Sequence, residues 1–436
     1  MNPTSFDFRP FRAWRYHPGR VELSRVIAPP YDVISPSEQE ALYAKSPFNV
    51  VRLILGKEAD FYEHARKCWE EWVRKGILVQ DEKPALYLYE QVFRHPWDSR
   101  PLRRLALVGI LKLEETGAVL RHEATFEAPK KDRFLLLEKT KTNLSPIFGL
   151  YENPEILSTL SALSRAEAPL FEARDDQGVL HRGWAVQKKE DQKAVHEALA
   201  GEKILIADGH HRYETALEYR RRMRQKFPSA PPEAPFDFVM MALAASGDEG
   251  LLVLPTHRII RSLAPLSEKD FLKQLSQHFD LRPHPDQKVF QALLARPETE
   301  KVFGGVFREA GSFILSLKNI ETTRRLLPSG KSPIWYEVEA HLLSHLIFDV
   351  LWTPPSEKRQ GLVAYTRSSE EAIQAVREGR AEAAFLLRTP RVDTIRKLAY
   401  AGERMPQKTT YFYPKLASGL FFYHQGQQSK IMKHGY

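Results

Sequence analysis

The sequence predicts a mixed α/β (α+β) protein, on three observations. Apolar, β-branched runs of strand length alternate with amphipathic helical stretches along the chain. Its 436 residues, 43% hydrophobic and 27% charged, can build two or three cores. No apolar run, "FVMMALAA" included, approaches the ~20 residues that span a bilayer, so no membrane partner is expected. The expected division is an N-terminal α/β segment over 1–104, a central core over 105–262, and a C-terminal α/β domain with a closing tail over 263–436.

The elements follow in order. "SPSEQEALYAK" opens a helix, with Ser35 as cap, Pro36 in the first turn and Glu38 completing a capping box. "NVVRLIL" reads as a β-branched strand. "DFYEHARKCWEEWVRKG" is a helix whose stripe is Phe61, Ala65, Cys68, Trp69 and Trp72, ending at Gly76. "PALYLYEQVFR" and "RRLALVGILKLEE" form a hairpin about "HPWDSRP". A polar loop, "GAVLRHEATFEAPKKDR", precedes a helix over "DRFLLLEKTKTNL". The strands "SPIFGLY" and "HRGWAVQ", the helix "DQKAVHEALAG" and the strand "KILIADG" lead to the helix "RYETALEYRRRMRQKF". A Pro-rich break then gives way to the strand "DFVMMALAA". Beyond it, "SEKDFLKQLSQHF" and "EVEAHLLSHLIFDVLW" read as helices, and "KVFGGVFR" with "SFILSLK" as a strand pair. "GLVAYT", "SSEEAIQAVREG", "AEAAFLLRT" and "RVDTIRKLAYAGE" alternate β-α-β-α. The aromatic tail is irregular.

Composition narrows the chemistry. The single cysteine, Cys68, excludes an intrachain disulfide and a cysteine zinc cluster, and fits a reducing compartment. The N-terminus has no apolar leader, so a cytoplasmic location is expected. A net charge of +9 suits anionic partners: phosphates, nucleotides or nucleic acid. The densest basic run, "YRRRMRQK" at 219–226, spreads its arginines over several helix faces.

The stretch "ILIADGHHRYETAL" carries the clearest chemical signal. An apolar strand, an Asp-Gly turn and a helix start bring backbone N–H groups and the positive helix end to one place. Gly209, His210, His211 and Arg212 are therefore candidate phosphate-binding residues. Adjacent helical residues point about 100° apart, so His210 and His211 do not chelate one ion. Asp208, a carboxylate at a strand end beside phosphates, is the candidate magnesium ligand. A second cluster is "RHEATFEAPKKDR", holding Arg121, His122, Glu123, Thr125, Lys130, Lys131 and Arg133. Glu123 beside His122 can serve as general base on a hydroxyl, and Lys131 and Arg133 can neutralise phosphate. "APPYDVIS" presents Tyr31 and Asp32. "LPTHR" adds His257 and Arg258, which are read as structural. In the tail, Lys408 with Thr409, Thr410 and Lys415 can close over a phosphate or pack as an arm. No P-loop, GxGxxG, GxSxG or kinase HRD/DFG signature is present.

Taken together, "RPFRAWRY", "APPYDVIS", "NVVRLILG", "RHEAT", "SPIFGLY", "IADGHHRYETAL", "LPTHR" and "MPQKTTYFYPKLASG" resemble the bacterial and archaeal domain-of-unknown-function family 1015, over residues 9–419. That family carries no settled activity. The strand, "DGHHRY", helix, Pro-rich turn and strand over roughly 105–245 also resemble the ParB/sulfiredoxin superfamily. There a Gly-x-x-Arg turn binds nucleotide phosphates. His210 stands where sulfiredoxins carry cysteine, so their chemistry is not implied. The free-serine kinases of that superfamily, with an Asp-Gly-His-His-Arg-like turn and an upstream glutamate base, are the nearer likeness.

The resemblance implies a ParB/sulfiredoxin-like core and a nucleotide-dependent phosphotransferase acting on a small hydroxyl metabolite such as serine. Glu123, His122 and His211 would be catalytic, and Gly209, His210, His211, Arg212, Lys131, Arg133 and Lys408 would bind phosphate. Asp208 would place Mg²⁺ with ATP or ADP. The same residues would serve a phosphoserine-type phosphatase. The alternative from another class is a nucleotide-sensing regulator or nucleic-acid binder of ParB type, which the basic run favours and the lack of a helix-turn-helix opposes.

Overall fold

The structure, a computed structural model, describes residues 6–114, 117–123, 127–166, 168–353, 361–406 and 408–426. Two compact units emerge. The first holds the described residues of 6–121, 127–252 and 414–426; the second holds those of 122–123 and 253–413. The boundary expected at 104/105 falls inside a strand of the first unit, and the one expected at 262/263 lies beyond the junction at 252/253. Strands from both sides of residue 104 share one sheet, so the N-terminal segment and the central core have a common framework.

That sheet has nine strands: β1 (Phe8–Arg9), β2 (Leu86–Arg94), β3 (Pro101–Lys112), β4 (Val119–Leu120), β5 (Ile147–Tyr151), β6 (Phe171–Arg174), β7 (Leu180–Val186), β8 (Ile204–Asp208) and β9 (Phe238–Ala245). Their order is β4-β8-β5-β9-β3-β2-β7-β6, with β1 also on β3. The sheet is mixed: β9 runs parallel to β5 and antiparallel to β3. The expected hairpin is β2 and β3, in register from Tyr87 opposite Val108 to Arg94 opposite Pro101. β9 is buried at every position, which explains its unbroken apolar sequence.

One face of the sheet buries Leu88, Leu107, Ile147, Ile206, Tyr213 and Leu243. A second core in the same unit gathers the N-terminal helices around Trp14, Trp69, Trp72 and Phe422. The helix Pro36–Lys45 has the expected capping box between Ser35 and Glu38.

Several elements depart from the sequence reading. "NVVRLIL" is a short helical turn, Val51–Ile54, not a strand. Asn49 decides this: its Oδ1 accepts from the Val51 N–H at 3.0 Å, and its amide donates to the carbonyls of Arg25 and Ile27. These bonds satisfy a buried turn that strand propensity alone opposed. Lys130 and Lys131 lie on the helix Glu127–Thr140, which starts before the expected Asp132, rather than in a loop; Arg133 is on that helix as expected. The helix Glu155–Ala166 and the strand β6 went unpredicted. Thr125 lies outside the described residues.

The second unit is built on an antiparallel sheet of β10 (His257–Ile260), β11 (Phe279–His284), β12 (Val302–Phe307), β13 (Gly311–Leu317), β14 (Val363–Thr366) and β15 (Ala383–Leu386), in the order β11-β13-β12-β15-β10-β14. The β-α-β-α alternation near the end of the chain is present. Its two strands, β14 and β15, flank β10, which runs antiparallel to both. The helix expected over "EVEAHLLSHLIFDVLW" is an α-turn, Glu339–Leu342, continued by a π-helix, Leu343–Leu351.

Candidate functional site

The "ILIADGHHRYETAL" stretch turns where β8 leaves the sheet. The pairing of β8 with β5 shifts register between Ile206 and Asp208, which frees the strand end to turn. Gly209 takes φ 91° and ψ 28°, a left-handed conformation that suits glycine. A Cβ there would lie 2.9 Å from the Arg212 guanidinium, so the side chain of Arg212 folds back over this residue. The helix His210–Lys226 follows, with no side-chain cap and no acidic residue in its first turn. An anion at that end would complement the helix dipole.

Arg212 and Asp208 are locked together. Arg212 Nη2 donates to Asp208 Oδ2 at 2.8 Å, and Nη1 donates to the Pro146 carbonyl at 2.5 Å. Lys415 donates to the other carboxylate oxygen, Oδ1. Burial works against the charge on Asp208, but Lys415 and Arg212 outweigh it and hold the carboxyl well below its usual range. His210 is buried and adds to the same effect.

Beside this cluster is a cavity of about 60 Å³, lined by Tyr31, Arg133, Ser145, Arg212 and Thr215 with Leu136 and Ile147. It has room for a few water-sized groups, far less than the ~300–1,000 Å³ of a typical ligand site. Arg133 is buried; its guanidinium lies 3.8 Å from the Tyr31 ring centre and donates to the Ile54 carbonyl at 2.9 Å. Burial pushes the Tyr31 hydroxyl up to about 12, against the pull of Arg133 and Arg212, so it stays a neutral donor. The first unit thus brings Asp208, Gly209, His210, Arg212 and Arg133 into one neighbourhood. His211 is half-buried on the same turn, and Lys131 is exposed on its helix.

His122, Glu123 and Lys408 belong to the second unit. Glu123 pairs with Met405 in a parallel bridge, and its Oε1 accepts from the Lys408 backbone N–H at 3.4 Å. His122 is fully buried, and its Nε2 lies 3.1 Å from the Thr410 hydroxyl. Lys408 therefore meets Glu123 through its backbone, while its side chain is exposed.

Three further residues emerge here. Lys415 was legible only as a lysine among aromatics; its partner is 207 residues upstream. Tyr31 stood out in "APPYDVIS" without a role. Arg258, read as structural, is buried at 2% exposure; burial lowers its guanidinium to about 10, against the charges of Tyr365 and Glu123.

The residues do not fit a metal centre. Both oxygens of Asp208 meet cations, and among the described residues no three His, Cys, Asp or Glu side chains come together to hold an ion. The basic run is largely spent within the protein. Arg220 and Arg224 pair with Asp237, and Arg221 and Arg222 pair with Glu218. Among the described residues no helix is long and apolar enough to cross a membrane.

The profile of a family described as protein of unknown function, DUF1015, matches residues 8–340. No curated protein matches the chain. Among solved structures, a conserved hypothetical protein from Pyrococcus furiosus is 14% identical, over 70% of this chain and 91% of that one, with a TM-score of 0.35. A free serine kinase in complex with AMP is 13% identical, over 70% and 86%, with a TM-score of 0.34. C-terminally truncated SbnI from Staphylococcus aureus is 10% identical, over 72% and 86%, at 0.34.

Proposed function

The chain belongs to the DUF1015 family, and we propose that it is a nucleotide-dependent phosphotransferase acting on a small hydroxyl metabolite, with serine the first substrate to try. The observation that carries this reading is the uncapped helix start at Gly209, with Arg212, Lys415 and Arg133 around it. Phosphoryl transfer asks mainly for positioning and charge neutralisation, which such a cluster supplies.

In this reading the backbone at Gly209, His210 and His211 receives the phosphates of ATP or ADP. Arg212 and Lys415 exchange part of their hold on Asp208 for phosphate oxygens. Lys131 lies on the same helix as Arg133 and steers the anion. Glu123 takes the hydroxyl proton as an oxygen–phosphorus bond forms to the acceptor. The bond from phosphorus to the bridging oxygen breaks, and the shortened nucleotide leaves with that electron pair. The assignment of Glu123 rests on the sequence resemblance, as does that of His122 as its neighbour. Asp208 acts through Arg212 and Lys415, and no metal ion enters the scheme.

The test is direct. Purified protein with serine and ATP or ADP is assayed for phosphoserine by ³¹P NMR, and in reverse with phosphoserine and nucleoside diphosphate or monophosphate. Glu123→Gln should abolish turnover and keep nucleotide binding; Arg212→Ala should lose binding. Failure to bind any nucleotide at millimolar concentration would overturn the proposal.

A further inference from the structure

The largest cavity described in the second unit has no part in the scheme above. It opens where β15 ends and the helix Val392–Tyr400 begins, and measures about 720 Å³. That lies within the ~300–1,000 Å³ typical of small-molecule sites. Its walls are of two kinds. One is apolar: Leu294, Ile334, Val338, Leu387 and Pro390. The other carries Thr256, Lys301, Thr389 and Thr394.

Charge on this lining is unevenly spent. Arg388 is consumed by Glu339 and by the carbonyls of Arg296, Pro297 and Glu300. Arg391 meets Glu298, and Lys397 meets Asp393. The Lys301 ammonium, on a half-buried residue, has no ion-pair or hydrogen-bond partner among the described residues. Glu337, the remaining acid of the lining, is exposed to solvent, where its field is screened.

The hydroxyls point the same way. Thr256 is only 6% exposed, and its side chain makes no hydrogen bond among the described residues. A hydroxyl that lines a cavity can donate and accept hydrogen bonds to a ligand there. Thr389 and Thr394 flank the start of the helix Val392–Tyr400, whose N-cap, Arg391, supplies no side-chain cap. The first-turn N–H groups of that helix add a positive partial charge.

We propose that this cavity binds a small organic anion, a phosphate ester or a carboxylate. Its charged group meets Lys301, Thr389 and Thr394, and its apolar body lies on Leu387, Val338 and Ile334. The site stands independently of the phosphotransferase reading.

The experiment is calorimetric titration of the full chain with phenyl phosphate, inorganic phosphate and benzoate. Saturable binding of phenyl phosphate or benzoate, tighter than that of inorganic phosphate, is expected, and the tighter of the two identifies the charged group. Lys301→Ala should weaken it by about tenfold or more, a loss of about 1.4 kcal/mol, while Lys301→Arg should retain most of it. Thr256→Val should weaken it with an unchanged melting temperature. Arg212→Ala, in the first unit, should leave it unaltered. Binding lost with Arg212→Ala and kept in Lys301→Ala would overturn the proposal, as would the absence of saturation with every probe at millimolar concentration.

Discussion

Lys415 and Asp208 form an ion pair between residues 207 positions apart, and Arg212 occupies the carboxylate oxygen that Lys415 leaves. The three charges are mostly buried, so each depends on the others. Removing one partner of such a buried pair typically costs about 3–5 kcal/mol. Lys415→Met should therefore destabilise the first unit by that order in urea unfolding, whereas the exposed Lys131→Met should leave stability unchanged.

Asp208 also sets an acid limit. Its folded pKa is depressed, so its contribution is complete above the ~3.9 of an unfolded aspartate and is lost as pH falls further. Without Lys415 the depression shrinks. Circular dichroism against pH should show Lys415→Met unfolding at higher pH than the parent chain; an unchanged acid midpoint would count against the pair's role.

Gly209 answers to two constraints at once, a positive φ and the guanidinium packed above it. Gly209→Ala should cost at least about 1–2 kcal/mol for the left-handed conformation. It should also push Arg212 away from Asp208, so nucleotide affinity should fall together with melting temperature. Retained affinity at a lowered melting temperature would separate the turn from binding.

In the second unit, burial lowers His257 and His341 to about 4. A depressed histidine stabilises the fold above its unfolded pKa of ~6.5 and loses that contribution as pH falls through the folded value. Two such groups give a slope of about 2.7 kcal/mol per pH unit near the middle of that window. Denaturant unfolding of the chain from neutral pH down to about 4 should show the decline; a flat profile would refute it.

Pairing within the basic run predicts weak contact with DNA. Arg220, Arg221, Arg222 and Arg224 are committed to Glu218 and Asp237. A gel shift on random duplex DNA should show little binding at physiological salt and a shallow salt slope, where a protein neutralising many phosphates loses about 10³–10⁵ in affinity. Steep salt dependence would revive the ParB-type reading.

Much of the fold was legible because periodicity and caps are local. The hairpin, β8, β9 and the helix over 210–226 all follow from runs of neighbouring residues. Val51–Ile54 was not legible, since the hydrogen bonds of Asn49 to Arg25 and Ile27 overrule β-branched propensity from a distance. The candidate site divides likewise. Gly209 and Arg212 announce themselves through a strand-turn-helix pattern, and the carboxylate at 208 stands beside them. Lys415 and Tyr31 could not be assigned, because only folding brings them to that turn. Asp208 read as a metal ligand for the same reason: of the cations that consume its oxygens, Lys415 is distant in sequence and Arg212 was assigned to phosphate.

The first unit's return for residues 414–426 has a consequence for biosynthesis. A ribosome adding ~5–20 residues per second takes roughly 10–40 s to travel from Asp208 to Lys415. Through that interval Asp208 and Arg212 have been made but Lys415, the second countercharge, has not. Residues 253–413 of the second unit are translated inside the same window, so the first unit is completed only after them. Premature termination anywhere in that window would release a chain lacking this countercharge, a natural mark for quality control to recognise.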